Sequence, residues 1–134
     1  EEGLKFGPHK VQGEQVFYES EGGLTCAFVN LRPIVKCHVL VCPVRCVARM
    51  NELNDDELCD MWRCANLIGS ELEKHLGCDG VNYAVQDGSA AGQSVAHVHV
   101  HILPRKVGDY ERNDDIYDEL EKHKPFAGEA ERVN

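Results

Sequence analysis

The segment His97-Val98-His99-Val100-His101-Ile102-Leu103 alternates polar and apolar residues with a period of two. It narrows the possible folds of this chain more than any other stretch. Successive side chains of a strand point to opposite faces. A strand here therefore carries three histidines on one face and Val98, Val100 and Ile102 on the other. The apolar face needs a core to rest on, and the histidine face needs partners for its ring nitrogens. The pattern predicts a half-buried strand over 97–103, closed by Pro104.

Other strands and one long helix surround it. Val16-Phe17-Tyr18, the turn Glu21-Gly22-Gly23 and Thr25 to Asn30 read as a hairpin. His38 to Cys42 is a strand between Pro33 and Pro43, and Val81 to Gln86 is another. Asn54 opens a helix, with Glu57 three positions on where a capping box needs it. Leu58, Met61, Trp62, Ala65, Ile68, Leu72 and Leu76 then fall on one stripe, which places Trp62 in the core. Gly69 interrupts the stripe at a cost of about 1 kcal/mol relative to Ala, and Gly77 ends it. A short helix is expected over 114–122 and a loose polar tail over 128–134. The fold class is α+β: an antiparallel sheet, one face on the long helix, with a short C-terminal helix.

At 134 residues, with 43% hydrophobic and 28% charged side chains, the chain suits one domain, 1–134. The net charge of −9 repels polyanions, which argues against non-specific nucleic-acid binding. No apolar run approaches the ~18 residues of a membrane span. The first residues lack the basic-then-apolar order of a secretory signal. The seven cysteines are odd in number and include no Cys-x-x-Cys pair. They are expected to be free thiols in a reducing compartment, several of them buried. The expected location is cytoplasmic, with the nucleus as an alternative.

Same-face strand neighbours lie roughly 6.5–7 Å apart, so the imidazoles can line a polyanion without colliding. An imidazole with a pKa near 6.5 is largely neutral at pH 7, and its free nitrogen can attack phosphorus. Protonated neighbours can hold phosphate oxygens or hand a proton to the leaving group. A His-x-His pair also suits zinc, and a lone strand histidine is usually solvated. Zinc loses ground because no carboxylate or thiolate adjoins the histidines in sequence, and no metal site is predicted. Ahead of them, Gln93 and Ser94 supply polar groups, and Gly88 and Gly92 let backbone amides approach an anion. Arg105 and Arg112 are candidates for holding a polyphosphate. Lys106 reads as surface charge.

His97-Val98-His99-Val100-His101 resembles the His-x-His-x-His signature of the histidine triad superfamily. Phe6-Gly7, Phe28-Val29-Asn30, His38 to Pro43, Gln86-Asp87-Gly88, Ala91 to Ser94, Leu103 to Lys106 and Gly108 to Asp114 are similar to its fragile histidine triad branch. The resemblance runs from about Phe6 to Lys124. It implies a hydrolase of dinucleoside polyphosphates that cleaves diadenosine triphosphate to AMP and ADP. His99 would be the nucleophile and form a nucleotidyl-histidine. His97 would orient it, and His101 would meet the phosphates or leaving group. Gln86, Gln93 and Ser94 would face the phosphates and Asn30 the ribose. Phe6, His38 and Leu40 would surround the nucleoside. The resemblance also implies a homodimer with one continuous sheet. It implies no tightly held cofactor, Mg²⁺ or Mn²⁺ at most accompanying the substrate.

Two departures stand out. Cys37 replaces the family's usual glycine before His38, and a positive φ there would strain it. The chain also stops soon after Phe126, where family members often continue. Two competing readings remain: a nucleoside phosphoramidase, and a module that binds a dinucleotide and signals through the complex. Leu103-Pro104-Arg105-Lys106 favours the hydrolase over the first, whose branch has a glycine pair at that point.

Overall fold

The computed structural model describes residues 4–123. The tail expected over 128–134 lies outside them. In chain order the elements are β1 (Lys5–Phe6), β2 (His9–Lys10), β3 (Val16–Glu19), β4 (Thr25–Val29), β5 (Val39–Pro43), α1 (Asp55–Leu76), β6 (Gly80–Ala84), β7 (Val100–Arg105) and α2 (Asp115–Lys122). The small hairpin β1–β2 was not foreseen in the sequence. The other five strands form one antiparallel sheet in the order β3-β4-β5-β7-β6. The expected α+β class holds.

Helix α1 starts where its capping box predicts. The Glu57 N–H donates to Asn54 Oδ1 and the Asn54 N–H to Glu57 Oε1, both at 2.9 Å. Arg45 then clamps the same carboxylate through Nε and Nη2, each at 2.8 Å. That clamp and the Asn54 N–H bond hold the Glu57 pKa down to about 2. The helix ends at Gly77 in the left-handed region, φ 64°. Its inner face, Met61, Cys64, Ala65 and Ile68, packs on Ala27, Val39, Val41, Val100 and Ile102 of the sheet. Fully burying a side chain such as Met61 or Ile68 contributes about 1.5–3 kcal/mol. Gly69 has a packing reason. A Cβ there would run into the Tyr83 ring and hydroxyl, so the glycine admits β6 close to the helix.

Trp62 corrects the expectation of core packing, being 37% exposed. It follows Met61 by one residue, about 100° around the helix, so it sits at the margin of the buried stripe.

The triad strand also needs correction. β7 runs from Val100 to Arg105, so His97 and His99 precede it and Pro104 lies within it. Extending the β5–β7 register, which pairs Val41 with Val100, would bring Pro43 opposite Val98. Pro43 has no N–H to continue the ladder. The chain before Val100 hangs instead on non-ladder bonds, such as the Val98 N–H to the Val47 carbonyl at 2.9 Å. Beyond Ile102, β7 pairs among the described residues only with β6, and a strand with one neighbour tolerates proline.

The other sheet face carries Cys26 and Phe28 of β4 and Leu40 and Cys42 of β5. Phe6, Val11 and Val95 cover them. All seven cysteines are free, and Cys26, Cys42 and Cys64 are buried. This second face holds the histidines.

Candidate active site

The fold gathers more histidines than the triad. The Phe6 ring stands 5.5 Å from that of His97 and 4.8 Å, edge on, from that of His99. His99 and His101 are 4.9 Å apart, His101 and His38 5.2 Å. His123, at the end of α2, lies 5.1 Å from His38 and 5.7 Å from His101.

Hydrogen bonds fix the tautomers. The Gly7 N–H donates to His97 Nδ1 at 3.0 Å, so His97 carries its proton on Nε2 and donates to the Pro43 carbonyl at 2.7 Å. His99 Nδ1–H donates to the His97 carbonyl at 2.7 Å. Its lone pair is therefore on Nε2. The Ile34 N–H donates to His38 Nδ1 at 3.2 Å, which places the His38 proton on Nε2. That N–H donates to His101 Nδ1 at 3.0 Å. His101 consequently bears an Nε2–H, and this buried nitrogen has no partner. The site thus presents one nucleophilic nitrogen and one free donor.

Burial keeps the rings neutral, because a charged imidazole loses its hydration there. It lowers the His99 pKa to about 4, against the upward pull of the His97 carbonyl. It lowers His38 to about 3, with His123 and His99 adding to the effect. His101 falls well below its ordinary value for the same reason, reinforced by His99, His38 and His123. His97 is also lowered by burial, partly offset by its bond to Pro43.

The residues singled out in the sequence separate into groups. His97, His99, His101, His38 and Asn30 converge. Asn30 Oδ1 accepts from the Arg32 N–H at 2.9 Å, and Asn30 Nδ2 lies 3.3 Å from His38 Nε2. Phe6 and Leu40 are fully buried; the Phe6 ring packs on His97 and His99, and Leu40 pairs with His101 across the β5–β7 ladder. Gln86 packs its amide over Gly92, where a Cβ would meet Nε2 at 2.7 Å. Gln93 spends its amide on the loop and on the segment that carries Ala48. Oε1 accepts from the Gly88 N–H at 2.7 Å, and Nε2 donates to the Ala48 and Val95 carbonyls at 2.8 and 2.9 Å. Ser94 is exposed on the same loop, beside a cavity of about 280 Å³ that also borders Arg49, Gly88 and Ala96.

Arg105 is not a phosphate ligand here. It is buried, forked onto Asp109 at 2.7 and 2.9 Å, and bonded to Asn82 at 2.8 Å. Arg112 is exposed and pairs with Asp115. The described residues include no group of three or more His, Cys, Asp or Glu side chains arranged to hold a metal ion. Cys37 does take a positive φ, 63°.

Sequence reasoning missed His123 and the backbone partners Gly7, Ile34 and Pro43. A signal for His123 existed: Ile116, Leu120 and His123 fall at i, i+4 and i+7 on one helical stripe.

Residues 9–108 match the family model described as HIT domain. The Arabidopsis thaliana bifunctional bis(5'-adenosyl)-triphosphatase/adenylylsulfatase FHIT is 50% identical over 87% of this chain, which spans 64% of that protein. The Dictyostelium discoideum bis(5'-adenosyl)-triphosphatase is 47% identical over 89% of the chain and 78% of its own length. Among solved structures, a Plasmodium falciparum diadenosine triphosphate hydrolase in complex with cyclomarin A superposes with a TM-score of 0.77. It is 28% identical, with 91% of this chain and 81% of that one covered.

Proposed function

The chain belongs to the HIT domain family, and from that premise we propose that it hydrolyses dinucleoside polyphosphates, cleaving diadenosine triphosphate to AMP and ADP. The observation that carries this reading is the bond from His99 Nδ1–H to the His97 carbonyl, which leaves Nε2 as an uncharged nucleophile. His99 Nε2 attacks the α-phosphorus. A phosphorus–nitrogen bond forms, the bridging phosphorus–oxygen bond breaks, and ADP leaves. The ring becomes cationic, and its bond to the carbonyl strengthens as charge develops. His101 Nε2–H donates to a phosphate or leaving-group oxygen. Water then attacks the same phosphorus and gives up a proton to solvent, the phosphorus–nitrogen bond breaks with its electron pair returning to Nε2, and AMP is released with neutral His99.

Asn30 faces the ribose and His38 the nucleoside, with the buried Leu40 and Phe6 backing that side of the site. Gln86 and Ser94 face the phosphates. Gln93 shapes their loop. No tightly held cofactor is required, and Mg²⁺ or Mn²⁺ enters, if at all, on the substrate. The chain as one domain over 1–134, a cytoplasmic location and the absence of nucleic-acid and membrane partners belong to the same proposal. No helix among the described residues is long and apolar enough to cross a membrane. A homodimer joined through β6 is part of it too. Among the described residues β6 pairs only with β7, and its Tyr83 is 39% exposed.

One turnover in ¹⁸O-labelled water tests the chemistry. The label is expected in AMP and absent from ADP, and acid quenching should trap AMP on a peptide containing His99. Label in ADP rules out attack at the α-phosphorus. Label in AMP without an adduct points to direct attack by water.

A further inference from the structure

His123 stands against Asn30, the residue assigned above to the ribose. Its ring packs on His38 and His101. Its Nε2 lies 3.0 Å from Asn30 Nδ2, the amide nitrogen that also faces His38. The same Nε2 is 2.9 Å from the Arg32 carbonyl. His123 is 7% exposed, and its Nδ1 is buried without a partner.

These contacts conflict. The Arg32 N–H fixes the Asn30 side chain with Oδ1 toward Arg32, so Nδ2 presents hydrogens to His123. The Asn30 amide asks His123 Nε2 to accept, and the Arg32 carbonyl asks it to donate. One nitrogen cannot do both, and in either tautomer the buried Nδ1 is also unmet. A buried polar group without its partner is costly. The closed arrangement is therefore held weakly, by the apolar anchors Ile116 and Leu120 and by partial hydrogen bonding.

We propose that His123 is a built-in competitor for the nucleoside side of the site: it occupies Asn30 in the free protein, and the end of α2 withdraws it before a ribose hydroxyl binds. The inference rests on the assignment of Asn30 to the ribose. A ribose hydroxyl both donates and accepts, so it satisfies the Asn30 amide without the conflict that His123 meets. Substrate affinity then carries the cost of opening α2, whereas the chemical step on His99 does not.

The test uses His123→Ala and His123→Gln, the latter keeping an amide nitrogen near the Nε2 position. Diethyl pyrocarbonate acylates neutral imidazoles, so its rate at His99, read by mass spectrometry, reports access without any substrate. His123→Ala is expected to label about fivefold faster at His99 and to lower KM for diadenosine triphosphate about fivefold, with kcat little changed. His123→Gln should stay close to the unmodified protein in both. In the unmodified protein, saturating AMP should speed amide exchange across residues 115–123. A raised KM in His123→Ala makes His123 a substrate contact and overturns the proposal. So do unchanged labelling, equal behaviour of the two variants, or slower exchange with AMP. If the unmodified protein hydrolyses no dinucleotide, the proposed function fails, and the labelling rates still decide whether His123 covers the site.

Discussion

His99 donates its Nδ1–H to the carbonyl oxygen of His97, two residues earlier and 2.7 Å away. This bond settles which nitrogen of the central histidine carries the lone pair. It also makes His97 matter through its backbone as well as its ring. His99→Asn keeps a group that can bond to this carbonyl but has no ring nitrogen to attack. Turnover of diadenosine triphosphate is expected to fall by at least ~10³-fold, with binding retained. Equal turnover in both proteins would falsify the covalent mechanism.

The buried histidines tie stability to pH. His99 and His38, at about 4 and about 3, lie below the ordinary 6.5. Below pH 6.5 the unfolded chain takes up protons that the folded chain refuses. Their contribution is thus present in full above 6.5 and is lost as the pH falls toward the folded values. Between pH 6.5 and 5 each should cost about 2 kcal/mol of stability. Urea midpoints at the two pH values measure this, and equal midpoints would contradict neutral burial.

Gln93 makes three bonds, two within the loop that leads to His97 and one across to the Ala48 carbonyl. Gln93→Ala should destabilise the protein by about 1–3 kcal/mol, as hydrogen bonds worth roughly 1 kcal/mol each are lost. KM should rise more than kcat falls, because the bond that sets the His99 tautomer is untouched. A fall in kcat alone would instead give Gln93 a direct part in the chemistry.

Cys37 sits at φ 63°, a conformation that L side chains other than Asn and Asp seldom adopt. Cys37→Gly removes that strain at the expense of a more flexible unfolded chain. A net gain of about 1 kcal/mol, or a few degrees in Tm, is expected. A lower Tm would show that the cysteine is held without strain.

Much of this protein is legible in one dimension, because local rules decide it. The capping box of Asn54 and Glu57, the stop at Gly77 and the hairpin β3–β4 depend on residues a few positions apart. The His-x-His-x-His segment marks the site by spacing alone. Trp62 shows the limit: periodicity gives a stripe, but its edge depends on what packs beside the helix. Arg105 shows it again, since a cation after the triad reads as a phosphate ligand until Asp109 and Asn82 are seen to hold it.

Sequence alone determined the α+β class, the long helix and the three histidines, because each follows from periodicity or from neighbours within a turn. Only the tertiary structure decided which histidine nitrogen is free. That depends on Gly7, Ile34, Pro43 and the backbone of His97, groups whose side chains carry no signal for it. It also placed His123 against Asn30, 93 positions apart, since a hydrogen bond senses distance in space and not along the chain.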